Sequence, residues 1–145
     1  MSGVLSLWQF WAVLSAVFAA LTAIFGKVGV EKVGADLATF IRTIVILVFA
    51  ALIVTASGQW RDAGAISSRS AVFLVMSGLA TGASWLCYYR ALQIGDAARV
   101  APIDKLSVVL VALFGVAFLG ERLAAPNWLG VALIAAGAIL VAYRA

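Results

Sequence analysis

Residues 35–57 read ADLATFIRTIVILVFAALIVTAS. The run carries two charges, Asp36 at its start and Arg42 further in, with neither proline nor glycine to interrupt it. Its length matches the roughly 20 mostly apolar residues that an α-helix needs to cross a hydrocarbon core about 30 Å thick, where every backbone polar group must be satisfied inside the segment. Four more stretches qualify on the same ground: Trp8 to Gly26, Ser70 to Ile94, Ala101 to Gly120, and Trp128 to Tyr143. The gaps between them are short and hold charges and turn formers: Lys27, Glu31, Lys32 and Gly34; Gly58, Arg61, Asp62, Gly64 and Arg69; Gly95, Asp96 and Arg99; Glu121, Arg122, Pro126 and Asn127. They leave no room for a second domain, so residues 1–145 are expected to form one all-α integral membrane domain of five transmembrane helices.

Composition agrees. The 145 residues are 66% hydrophobic and 11% charged, with a mean hydropathy of +1.15. A soluble core of this length buries only about 68–70% of the surface its unfolded chain exposes, so water would meet large apolar patches. With no histidine, one cysteine (Cys87) and two prolines, the chain offers no disulfide framework, no zinc site of ordinary ligand spacing and no histidine-based catalysis. No cofactor or metal is expected. The nearest approach to an acidic phosphotransfer motif, Asp96-Ala-Ala-Arg99, comes with no set of acids to hold a metal, which speaks against an enzyme. Net charge is +4, but the basic residues stand scattered between apolar runs and form no stripe for nucleic acid. They suit the membrane edge, where long basic side chains reach lipid phosphates.

Trp8, Trp11, Trp60, Trp128 and Tyr143 fall at or near predicted helix ends, the depth that amphipathic rings favour. Residues 1–7 have no Lys or Arg and the first apolar run exceeds the usual 7–15 residues, so a cleaved signal peptide is not expected. Lys27, Lys32, Arg90, Arg99 and Arg144 lie on one side, against Arg61, Arg69 and Arg122 on the other. The positive-inside rule then leans toward an outside N-terminus and a cytoplasmic C-terminus, in a balance close enough to permit insertion both ways.

Polar and small residues recur at helical spacing. In the third segment Ser77, Thr81, Ser84 and Tyr88 share a face, with Gly78, Gly82, Trp85 and Tyr89 one step round. Ser15 and Thr22 align with Trp8 in the first; Asp36, Thr39 and Thr43 share a face in the second, with Arg42 alongside; Asp104 and Ser107 lie above Gly115 in the fourth. The fifth has small residues only: Gly130, Gly137, Ala132, Ala135 and Ala136. The first four helices are therefore expected to surround a polar pathway, with the fifth packed outside it or against another subunit. Hydroxyls bonded back to their own helices and simple helix packing account for any one stripe as well.

Arg42, Arg90, Asp104 and Lys105 lie inside or near the ends of apolar segments, where a charge at mid-membrane costs about 2.5–3.5 kcal/mol. Tracing the chain brings the start of the second helix, the end of the third and the start of the fourth to one side. An Arg42–Asp104 pair at matching depth then leaves Lys105 available, since neighbours on a helix point about 100° apart. Tyr88 and Gln93 complete the neighbourhood, and Pro102 suits a first-turn position. Three cations against one carboxylate would favour an anionic group such as a substrate carboxylate; cations snorkelling to lipid phosphates is the competing account.

The segment ALQIGDAARVAPIDKLSVVLVALFGVAFLGERL, Ala91 to Leu123, resembles the third-to-fourth-helix region of an EamA-type unit of the drug/metabolite transporter superfamily. The arginine near the start of the second helix also matches, as does the Gly120-Glu121-Arg122 motif before Asn127-Trp128-Leu129-Gly130 and a Gly/Ala-rich last helix. API-DKLS at Ala101 to Ser107 is similar to small bacterial and archaeal transporters carrying one such unit. The resemblance implies one EamA-type repeat in the inner membrane that exports a small metabolite, amino-acid-like or organic-anion-like. It also implies alternating access in a homodimer, antiparallel if the two copies insert oppositely. Small multidrug-resistance relatives use a glutamate in their first helix; Trp8 to Gly26 has no acid, which argues against their cation/proton exchange and leaves Asp104 as the deeply placed carboxylate. Glu121 reads as a loop or capping anchor. The residues expected to line the pathway are Ser15, Thr22, Thr39, Arg42, Thr43, Ser77, Thr81, Ser84, Tyr88, Asp104, Lys105 and Ser107. A non-transporting membrane subunit that stabilises a partner is the alternative.

Overall fold

The computed structural model describes residues 7–143; residues 1–6, invoked above against a signal peptide, and Arg144, counted in the charge balance, lie outside them. The elements are α1 (Trp8–Gly29), α2 (Ala35–Ser57), a 3-10 helix (Gln59–Ala65), α3 (Ser68–Ile94), α4 (Ala97–Asp104), α5 (Ser107–Phe118) and α6 (Ala125–Ala142). Among the described residues five stretches are long and apolar enough to cross a membrane: α1, α2, α3, Ala97–Phe118 and α6. The all-α membrane architecture is thus as expected. Among the described residues the buried apolar set is Ala23, Val30, Ala35, Tyr89, Leu92 and Ala138, while most Leu, Ile, Val and Phe side chains are exposed. That inverts a soluble core and matches a surface solvated by acyl chains.

The ends of the elements follow local chemistry. Gly58 closes α2 at φ 71°, a left-handed conformation that penalises a Cβ. Trp60 Nε1 then donates to Thr55 Oγ1 at 2.9 Å, tying the 3-10 turn back to α2. Ser67 Oγ accepts the Ser70 N–H at 3.1 Å and caps the start of α3. Gly120, at φ 68°, turns the chain beyond α5, where the Gly115 carbonyl accepts from both Leu119 N and Glu121 N.

The fourth span is not the single helix from Ala101 to Gly120 expected from its apolar run. Asp96, in extended conformation, starts it at Ala97, its carbonyl accepting from Arg99 N at 2.9 Å and Val100 N at 3.0 Å. Pro102 therefore lies inside α4 rather than in a first turn, and without an N–H it leaves the Ala98 carbonyl short of a helical donor. The ladder then tightens: Leu106, Val108 and Val109 donate three residues back at 3.0 Å. The span breaks at Lys105 and Leu106 and resumes as α5.

The chain divides into two compact units, residues 26–93 and residues 7–25 with 94–143. In the first, the end of α1 meets the end of α3. A Cβ on Gly26 would stand 3.3 Å from the Tyr89 hydroxyl. Lys27 Nζ donates to the Leu92 carbonyl at 2.7 Å, Gln93 Nε2 donates to the Val33 carbonyl at 2.8 Å, and Leu92 is fully enclosed. In the second unit, α4 and α5 both pack on α6. The face of α6 that packs carries Trp128, Val131, Ala135 and Ala138; Ala132, Ala136 and Gly137 stay exposed.

Candidate functional site

Arg42 stands on α2 beyond the buried Thr39, with the end of α3 bringing Trp85 and Tyr89 against it. Its guanidinium carbon lies 4.1 Å from the centroid of the Trp85 ring and 5.5 Å from that of Tyr89. Trp85 and Tyr89 are one helical turn apart, so both rings reach the same cation. Tyr89 is itself held: it is buried, its hydroxyl lies against Gly26, and Tyr88 packs edge-on to it at 6.4 Å. Arg42 Nη1 is enclosed and has no hydrogen-bond partner. A cation held beside aromatic rings, with one N–H left unsatisfied, has a donor to offer an oxyanion.

Within its own unit Arg42 meets this aromatic stack; Asp104, the partner expected from depth, belongs to the other unit. Aromatic π-faces attract a cation without an acid. In that unit Lys105 Nζ lies 3.3 Å from its neighbour Asp104, in an exposed pair. The 100° separation holds only within a continuous helix, and α4 ends at Asp104.

Asp36 is the acid that meets an arginine here. Arg90 Nη2 lies 3.3 Å from Oδ1 and 3.5 Å from Oδ2, the two side chains being 69% and 74% exposed. Asp36, Arg90, Leu86 and Cys87 line a recess of about 410 Å³. Asp36, Trp85 and Tyr89 were missing from the expected pathway residues. The signal for the rings was their one-turn spacing on α3; the signal for Asp36 was its position on the side of the membrane where α3 ends with Arg90.

The hydroxyl residues divide. Thr39, Thr43 and Thr81 each donate at 2.8 Å to the carbonyl four residues back, Ala35, Thr39 and Ser77 respectively, the self-bonding that competes with a pathway role. Their oxygens keep acceptor capacity. Ser77, Thr81 and Ser84 lie on exposed stretches of α3, and Tyr88 is half-buried. In the other unit Ser15 and Ser107 are exposed, Thr22 is half-buried, and Asp104 and Lys105 sit at the break. The structure therefore gathers Arg42 and Tyr88 around Trp85 and Tyr89. Among the described residues no group of acids, cysteines or histidines is arranged to hold a metal.

Comparison with known proteins gives two likenesses. Residues 6–143 match the EamA-like transporter family. The chain is also 66% identical over 135 residues to a Sinorhizobium sp protein described as an uncharacterized transporter in the cobO 3′ region, an alignment covering 93% of this chain and 96% of that protein. No solved structure matches.

Proposed function

The chain belongs to the EamA-like transporter family, and from that premise we propose that it exports a small metabolite with an anionic group, amino-acid-like or organic-anion-like, across the inner membrane. A membrane transporter is what the family and the relative's description have in common, and both point away from an enzyme. The observation carrying the finer reading is the enclosed, unpartnered Nη1 of Arg42 on the Trp85 and Tyr89 rings. A substrate carboxylate gives that N–H its acceptor and neutralises a charge that otherwise lies in a low-dielectric setting.

The working form is a homodimer, antiparallel if the two copies insert oppositely, with alternating access between the two copies. Supporting it are the near-balanced basic residues on the two sides and the exposed small residues Ala132, Ala136 and Gly137 of α6, which let helices approach closely. The test is efflux from proteoliposomes loaded with a panel of labelled amino acids and mono- and dicarboxylates. Flux of a carboxylate that Arg42→Ala abolishes, at equal amounts of inserted protein, is expected. A panel-wide absence of flux, or flux indifferent to Arg42, overturns the reading.

A further inference from the structure

Residues 119–124 join α5 to α6 and read LGERLA, a motif that the Arg42 site does not use. The Glu121 side chain folds back over α5: a Cβ on Gly115 would stand 2.5 Å from Glu121 Oε2 and 3.2 Å from its carboxyl carbon. Gly115 is buried there, though α5 is otherwise largely exposed. Beside it Val111, Phe114, Gly115, Phe118, Leu119 and Glu121 line a recess of about 340 Å³. Its apolar walls face outward, Val111 being 67% and Phe118 80% exposed. The recess runs along the last two turns of a membrane span and ends at a carboxylate. Neither Glu121 nor the adjacent Arg122 makes an ion pair or side-chain hydrogen bond among the described residues.

An apolar trough that ends at an unsatisfied carboxylate, with the basic Arg122 next in sequence, matches one chemistry. We propose that this face holds a zwitterionic phospholipid with an ammonium headgroup: an acyl chain along Val111, Phe114 and Phe118, the ammonium on Glu121 and the phosphate on Arg122. In an ethanolamine headgroup two carbons separate phosphate from ammonium, a span that neighbouring side chains on one loop can bracket. An anionic headgroup satisfies Arg122 but meets repulsion from Glu121, so the carboxylate sets the preference. Phe114 and Phe118, with ring centroids 5.8 Å apart, add apolar area and a π-face near the cation.

The test is native mass spectrometry of the purified full-length protein in detergent, supplied with equimolar phosphatidylethanolamine and phosphatidylglycerol of identical acyl chains. Wild type is expected to retain the ethanolamine lipid in preference, and Glu121→Gln to lower that preference roughly fivefold, the upper range for an exposed ion pair. Retained phosphatidylglycerol in the same sample reports that the fold persists. Glu121→Asp, which keeps the charge, should preserve part of the preference if Glu121→Gln fails to fold. Gly115→Ala should lower the preference by displacing the carboxylate with its charge intact. Equal retention of both lipids by wild type overturns the proposal, as does an unchanged preference in Glu121→Gln. Displacement by free phosphoethanolamine at the same concentration as the lipid would show the recess to be irrelevant and overturns it too. A dimer lost in Glu121→Gln with lipid retention unaltered assigns the face to a second copy instead.

Discussion

Replacing Arg42 by methionine separates a binding role from a structural one, because the two predict opposite balances of stability and affinity. In the free protein the guanidinium gains from the rings at 4.1 and 5.5 Å, worth about 0.5–2 kcal/mol. Against this stands the enclosed Nη1 with no acceptor, a desolvation penalty of about 1–3 kcal/mol. Methionine removes both while keeping apolar contact with Trp85, so the apparent unfolding midpoint of the free protein should move little. Binding is different. A hydrogen bond to a charged group contributes about 1.5–3 kcal/mol, so its loss weakens a carboxylate ligand by roughly 10- to 150-fold. A ligand at 100 times its Kd stabilises wild type by about 2.7 kcal/mol; if Arg42→Met weakens it 100-fold, the same concentration adds only about 0.4 kcal/mol. The assay is thermal unfolding in detergent with and without the carboxylate that proteoliposome efflux identifies. A strongly lowered midpoint in the free variant, together with an undiminished ligand shift, would refute the reasoning and make Arg42 a packing residue.

Arg90 should tolerate loss of Asp36, because an exposed pair contributes at most about 1 kcal/mol; Asp36→Asn is expected to leave the unfolding midpoint nearly unchanged while strengthening binding of dicarboxylates relative to monocarboxylates, read by competition. Pro102→Ala gives the Ala98 carbonyl a donor, and amide hydrogen exchange over residues 105–109 should slow as the break becomes more regular. Gly120→Ala places a Cβ at φ 68°, with an expected loss of about 1–2 kcal/mol in thermal unfolding; an unchanged midpoint would mean that the loop re-forms without the left-handed turn.

Much of the fold is legible because membrane insertion imposes a length rule on local sequence. The run at Ala35–Ser57 emerges as a helix with those bounds, and the other spans differ from expectation by a few residues, except at the fourth. There hydropathy is blind: Pro102 is equally acceptable in a first turn or an interior, and the choice depends on whether Asp96 or a later residue starts the helix. That start is a backbone event, fixed by the Arg99 and Val100 hydrogen bonds to Asp96, and it moves the break to Lys105 and Leu106.

The site was legible in its charges but not in their partners. A helical wheel gives the direction of Cβ and hence places Thr39, Thr43 and Thr81 on common faces; it does not say whether the hydroxyl turns outward or back to the carbonyl four residues earlier, as these three do. It also treats arginine as a point charge seeking an acid. Once pairs are assigned by contact, the excess of cations shrinks: Asp36 answers Arg90, and in the other unit Asp104 answers Lys105. Arg42 alone of these keeps an uncompensated charge, with two rings beside it and Nη1 unsatisfied. A single cation matches a monoanionic group. For the carboxylate proposed to bind there, rings in place of an acid leave one positive charge to match, a selectivity that an acid paired with Arg42 would cancel.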